Sequence, residues 1–208
     1  LINHLKRQKE ATGTDLPHRH HLLIEHFDDP LITSDRKQVI LHTLWGGRTN
    51  RPFGLALQAG WGEKYNTQLE VSENNDCILL MLPHAFSAAD LFTLVHPENI
   101  ERLLRKTLEA SGFFGAKFRE NAGRALLLPR ADFKRRLPLW LNRLRAKKLM
   151  DAVLPYPDFP ILLETWRTCL QDEFDLDHLK QLLDEVRSGR IRITETTTTA
   201  ASPFCDGL

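Results

Sequence analysis

The sequence predicts an α+β fold: a small, mostly antiparallel sheet of four to five strands with helices on one face, followed by a helical subdomain. Three observations carry this. Short runs rich in branched and aromatic residues, the composition of strands, occur before about residue 96 and once more at 190–196. Between 97 and 189 the apolar residues recur at helical spacing instead. The stretch QLEVSENNDCILLMLP sets a polar Asn-Asn-Asp turn between two strand-like runs, as a hairpin does. The expected organisation is a sheet-containing half over 1–96, a helical half over 97–189, and a final strand with a disordered tail over 190–208.

In chain order, residues 1–11 place Ile2, Leu5 and Gln8 on one side of a helix that Gly13 stops. HHLLIEHF (20–27) and KQVILHTLW (37–45) are strands, expected as antiparallel neighbours across the polar loop DDPLITSDR. Gly46-Gly47 breaks the second strand and leads to a helix through FGLALQAGWGEKY. Asn50 is its expected cap and Pro52 lies in its first turn, where the missing N–H of proline costs nothing. After the hairpin at 68–83, Ser87 caps a short helix (AADLFTLV), and Pro97 opens another with Ile100, Leu103, Leu104 and Leu108 on one face. Further helices are expected over 115–128, 138–154, 159–172 and 175–188. The last has Asp175 as cap, Leu176, Leu179, Leu182, Leu183 and Val186 inward, and Gly189 as stop. RIRITET (190–196) alternates with period two and is a strand, and TTTTAASPFCDGL after it is expected to be disordered.

A chain of 208 residues can bury a real core, and 42% hydrophobic with 26% charged residues is ordinary for a soluble globular protein. Cys77, Cys169 and Cys205 are scattered, without a CxxC pair. That argues for a reducing compartment and against a disulfide framework or a structural zinc. No run of about 18 apolar residues is present, so no membrane helix is expected. The first residues are charged and amphipathic rather than a signal peptide. There is no initiator Met, and the chain is expected to start and stop inside a longer protein.

The formal net charge of +1 conceals an asymmetry. Residues 116–148 hold eleven Lys or Arg against Glu120 and Asp132, a net of +9, while the remainder holds 17 basic and 25 acidic residues. Phe118, Leu126, Leu127, Leu128, Trp140, Leu141 and Leu144 interrupt the charges, so the stretch is expected to be a folded basic surface rather than a polybasic tail. In a helix beginning near Pro138, Trp140, Arg143 and Lys147 share one stripe at i, i+3 and i+7. An aromatic in line with cations suits single-stranded nucleic acid, whose bases stack while its phosphates need neutralising. The competing expectation is that Trp140 is core and the charges solubilise a long helix. Candidate nucleic-acid contacts from this stretch are Arg119, Arg124, Arg130, Lys134, Arg135, Arg136, Trp140, Arg143 and Lys147. Arg48 and Arg51 join them as a candidate phosphate site beside a helix N-terminus, against the alternative that they simply face water. Eight acids between Asp158 and Glu185 are a possible internal counterweight to the basic helix.

Chemistry of other kinds is missing. No G-x-x-x-x-G-K-[ST] phosphate loop and no G-x-S-x-G nucleophile elbow is present. LLDEVR (182–187) resembles an acidic Mg²⁺ motif only superficially, because it lies in a helical pattern without that loop. His18, His20 and His21, with His26 and His42 across the sheet, lack a sequence-local fourth ligand, and Cys77 is expected to be buried and inert. No catalytic residue, metal or cofactor is therefore expected in this chain.

Several segments together resemble the Lhr family of large superfamily 2 ATP-dependent helicases, in the DEAD/H-associated region that follows the motor and winged-helix domains. They are PHRHHLLIEHF (17–27), VILHTLWGGRTNRPFGLAL (39–57), FFGAKFRENAGRALLLPR (113–130), LPLWLNRLRAKKL (137–149), YPDFPILLETWRTCLQDEFDL (156–176) and ITETTTTAASPF (193–204). The resemblance implies a cytoplasmic parent protein that hydrolyses ATP with Mg²⁺ in its motor domains, translocates 3′ to 5′ on single-stranded DNA and works in repair. This chain would then cradle the tracking strand of DNA or RNA, with the motor and winged-helix domains of the same polypeptide as partners and no membrane. The family's base-stacking aromatic could fall on Trp45, Trp61, Trp140 or Trp166. The alternative within the same family is a scaffold that docks on those domains without touching nucleic acid.

Overall fold

Five strands, β1 (His21–Phe27), β2 (Arg36–His42), β3 (Glu70–Glu73), β4 (Cys77–Pro83) and β5 (Arg192–Thr198), form one sheet in the order β3-β4-β2-β1-β5. Three of the four pairings are antiparallel, and β1 with β5 is parallel. The fold is therefore the α+β class that the sequence predicts. The computed structural model describes residues 2–27, 36–83, 86–128 and 138–205.

Alternation sorts the sheet residues onto two faces. Leu22, Ile24, Val39, Leu41, Ile78 and Leu80 share one face and are fully buried, each worth about 1.5–3 kcal/mol relative to exposure. Helix α2 (Gly47–Tyr65) packs on β3 and β4, with α3 (Leu91–Leu94) and α8 (Leu176–Arg187) against it. Gly54 permits the close approach, since a Cβ there would stand 3.1 Å from Val71 Cγ1. The second face, expected to carry no helix, is covered as well: α1 (Ile2–Thr12) and the C-terminal segment lie along β5, where Thr196 Oγ1 donates to the Thr12 carbonyl at 2.8 Å. Of the side of α1 expected to carry Ile2, Leu5 and Gln8, Gln8 is buried, Leu5 half-buried and Ile2 exposed, and Thr12 is buried with Gln8.

Two compact units result, Leu1–Leu104 with Asp175–Leu208, and Arg105–Phe174. The boundary falls inside α4 (Ile100–Glu109), whose Ile100, Leu103, Leu104 and Leu108 are buried as expected. The helical half of 97–189 is thus divided, because the leucine stripe of α8 packs with α2 and α3 in the sheet unit. Asp175 caps α8, its carboxylate accepting from His178 N at 3.2 Å. In the second unit, α5 (Gly112–Arg124) packs on α6 (Leu139–Val153) and α7 (Pro160–Arg167) around Phe114, Phe118, Leu162 and Trp166. Ser111 caps α5 by accepting from Phe114 N. The helix expected over 159–172 changes at Arg167 into a π-helical turn, Thr168–Glu173, closed by Phe174 N to Cys169 O at 3.1 Å.

Three further expectations are corrected. Strand β2 stops at His42 rather than residue 45, because Thr43 N and Leu44 N both donate to the Asp76 carbonyl and Leu44 turns to φ 53. The cap of α2 is Gly46, whose φ of 83 suits glycine. Asn50 is buried inside the helix instead, accepting from Thr43 Oγ1 at 2.7 Å and donating to the Asn74 carbonyl at 2.9 Å. The tail is ordered to residue 205: β5 runs to Thr198, and a single turn at Pro203–Cys205 buries Ser202 and Cys205. The reason is polar, for Gln8 donates to Ser202 Oγ and accepts from Phe204 N, pinning the segment to α1.

Candidate nucleic-acid interface

Helix α6 starts at Pro138, whose carbonyl accepts from Leu141 N and Asn142 N. Within it only Ala146 and Val153 are buried, so most of its surface meets solvent. Trp140, Arg143 and Lys147 lie on one exposed stripe, the arrangement that the spacing predicts. Trp140 is 66% exposed, whereas Trp45, Trp61 and Trp166 are 9%, 4% and 8% exposed. A core role for Trp140 is thereby overturned.

The acidic residues of 158–185 do not neutralise this helix. Arg167 is forked between Glu164 (2.8 Å) and Asp172 (2.9 Å), which raises its already high pKa. Lys117 of α5 is held by Glu173, which pushes its pKa up, and Arg124 pairs with Glu120 at 2.5 Å along the same helix. Glu185 binds Arg19 at 2.7 Å and Asp184 binds Arg190. By contrast, Arg143, Arg145, Lys147 and Lys148 have no acidic partner among the described residues.

Beside α6, a groove of about 720 Å³ opens between it and the junction of α4 with α5. Arg119, Arg143 and Lys147, three residues singled out from sequence, line it together with Lys106, against Glu109 and Asp151. The balance is two positive charges in a concave site, which attracts anions. Arg124 lies outside the lining and is already paired. Arg130, Lys134, Arg135 and Arg136 lie outside the described residues.

Arg48 and Arg51 belong to the other unit and are exposed on the first turns of α2. The helix end beside them is engaged by protein. Gly47 N donates to Asn75 Oδ1 at 3.0 Å, and the Arg48 carbonyl, deprived of an intrahelical partner by Pro52, accepts from Asp175 N at 3.1 Å. The charge of Arg51 acts on Glu73, whose carboxyl burial raises above its usual range despite that charge.

The histidines separate. His21 bonds the Leu16 carbonyl and Thr194 Oγ1, His26 bonds Glu195, and His18 packs edge-on to His21. His42 is elsewhere, fully buried, with one ring nitrogen and the sulfurs of Cys77 and Cys205 all within 4.8 Å of one another. Glu25, also fully buried, accepts from His42 Nε2 (2.7 Å), Ser202 Oγ (2.5 Å), Thr198 Oγ1 (2.6 Å) and Ser202 N (3.0 Å). Sequence reasoning missed this cluster, since its members lie at 25, 42, 77, 198, 202 and 205 and no local spacing links them.

Comparison with known proteins bears on both units. The family model described as DEAD/H associated matches residues 16–205. The chain is 36% identical over 207 residues to the Lhr helicase/uracil glycosylase of Escherichia coli and 38% identical to the Lhr helicase/probable uracil glycosylase of Mycolicibacterium smegmatis. Each alignment takes in 98% of this chain and 13% of the relative. The solved structure of Mycobacterium smegmatis helicase Lhr bound to ssDNA and AMP-PNP superposes with a TM-score of 0.81 at 38% identity, covering 98% of this chain and 26% of that one. Among the described residues no helix is long and apolar enough to cross a membrane. Because the match runs from before the first strand to the turn that seals the sheet, the chain belongs to the DEAD/H-associated family, in the form it takes in Lhr helicases.

Proposed function

We propose that this chain is the accessory domain with which an Lhr-type ATP-dependent 3′-to-5′ helicase cradles its tracking single strand during unwinding in DNA repair. The observation that carries the reading is the exposed stripe of α6, where a tryptophan stands in line with cations that have no acidic partner among the described residues. Trp140 stacks on a base, while Arg143, Lys147 and Arg119 take successive phosphates along the groove, positioning the strand without reading its sequence. Hydrolysis of ATP with Mg²⁺ belongs to motor domains elsewhere in the parent protein. The relatives named as ATP-dependent helicases and the relative solved with ssDNA support this assignment.

The decisive measurement is fluorescence-anisotropy binding of the chain to a single-stranded DNA oligomer over a salt series. The expected result is a linear fall of log K with log salt, with a slope of about −0.7 per phosphate contacted. A folded chain that binds nothing even at low salt sinks the reading. A second reading then leads, favoured by the exposed Leu139 and Tyr156 in the same unit: a scaffold face docking on the motor and winged-helix domains. For that scaffold, reversing Arg143 and Lys147 to Glu weakens docking on those domains and leaves any strand binding by the parent protein unchanged.

A further inference from the structure

The Glu25 cluster has a composition that the strand-binding reading does not use. We propose that His42, Cys77, Cys205 and Glu25 form a structural Zn²⁺ site that fastens the C-terminal segment to the sheet. Two thiols, an imidazole and a carboxylate are a ligand set that zinc takes readily. Cys77 Sγ and Cys205 Sγ are 3.9 Å apart, and Cys205 Sγ is 3.8 Å from His42 Nε2. With Zn–S of about 2.3 Å and Zn–N of about 2.0–2.1 Å, tetrahedral edges are about 3.8 Å between sulfurs and about 3.5 Å between sulfur and nitrogen. Those two edges are within a few tenths of an ångström of the tetrahedral values, the third pair, Cys77 Sγ with the His42 nitrogen, lies within 4.8 Å, and Glu25 Oε2 must draw back from His42 Nε2, from 2.7 Å to about 3.3 Å.

Glu25 stands beside these three ligand atoms rather than among them, and completes the tetrahedron only by turning its carboxylate. Its Oε1 is anchored by Thr198 Oγ1 and Ser202 N, leaving Oε2, 2.7 Å from His42 Nε2, to turn toward the metal. Ser202, itself held by Gln8, then orients the carboxylate from outside the ligand shell. Binding releases the two thiol protons to solvent, and the imidazole proton moves from Nε2 to Nδ1. That nitrogen is buried with no partner among the described residues, so the proton placed there lacks an acceptor, a cost that the metal–ligand bonds must exceed. The four ligands come from β1, β2, β4 and the terminal turn, and a metal joining them would cross-link segments far apart in sequence.

The test uses the purified chain, reduced, freed of metal with a chelator, and checked for folding and for three free thiols. Zn²⁺ is titrated against a chromogenic chelator, and Co²⁺ serves as the spectroscopic probe. Expected are one Zn²⁺ per chain, a higher melting temperature with Zn²⁺, and a Co²⁺ spectrum with sulfur-to-metal charge transfer and tetrahedral visible bands. Cys205→Ala, which removes the sulfur without burying a new polar group, and Cys77→Ser should each weaken Zn²⁺ binding by about 100-fold, at least the loss usual for outer-shell changes. Substoichiometric binding by the folded, reduced chain overturns the proposal. So does undiminished binding in either folded variant, or a Co²⁺ spectrum without thiolate absorption.

Discussion

Glu25 and Trp140 are placed against the usual preferences in opposite directions, a carboxylate with no exposure and a tryptophan with 66%. Around Glu25, before any metal binds, the chain's own groups satisfy the carboxylate. Two hydroxyls, a backbone N–H and an imidazole saturate its oxygens, and these bonds pull the last residues of the chain onto the sheet. Around Trp140 the protein supplies almost nothing: the ring is uncovered, and the cations on its stripe have no acidic partner among the described residues. A buried polar group that is satisfied explains its own presence through stability. An exposed aromatic beside unpaired charge points to something outside the chain.

The largest effect should come from breaking the buried side of this contrast. Glu25→Ala strands His42 and three donors in the interior and should cost about 3–5 kcal/mol of unfolding free energy, read as a lowered urea midpoint; a loss below 1 kcal/mol would mean the cluster is wetter than described. Trp140→Ala should do the reverse, leaving stability within about 0.5 kcal/mol while single-stranded DNA binding loses about 1–3 kcal/mol. Unchanged affinity in that folded variant would remove the stacking role. Replacing Arg143 and Lys147 together by Gln should reduce the salt slope by about 1.4, two phosphates at about 0.7 each; an unaltered slope would place the phosphates elsewhere. The smallest effect concerns an ion pair in the sheet unit. Hydrogen bonds from Arg19 and Gln181 hold the Glu185 carboxyl at about 2, below its ordinary 4.5. A depressed carboxyl contributes stability above its unfolded value, and that contribution is lost as pH falls from about 4.5 towards 2. The melting-temperature gap between the parent chain and Glu185→Gln should therefore close across that window, and a gap constant with pH would rule the pair out.

Much of this was legible because it is local. The leucine stripe of α8, its Asp175 cap, the 68–83 hairpin and the Trp140-Arg143-Lys147 stripe each follow from spacing within a few turns or one strand pair. What failed involved partners distant in sequence. Asn50 looked like a cap because its type favours caps, but Thr43 and Asn74 recruit it into the interior. The threonine-rich tail looked disordered because nothing in it is apolar enough to pack alone, and its anchors are Gln8 and Glu25. Whether acidic residues neutralise the basic helix was likewise undecided by composition, since charges that balance in number pair only where geometry brings them together.

By itself the sequence determined the fold class, the period of each element and the basic character of 116–148, because these depend on neighbours one to four residues away. The tertiary structure alone decided that α8 belongs with the sheet, that three of four tryptophans are covered, and that residues 25, 42, 77 and 205 meet. Burial and side-chain partnership are set by which surfaces the folded chain lays against one another, and no local spacing encodes that.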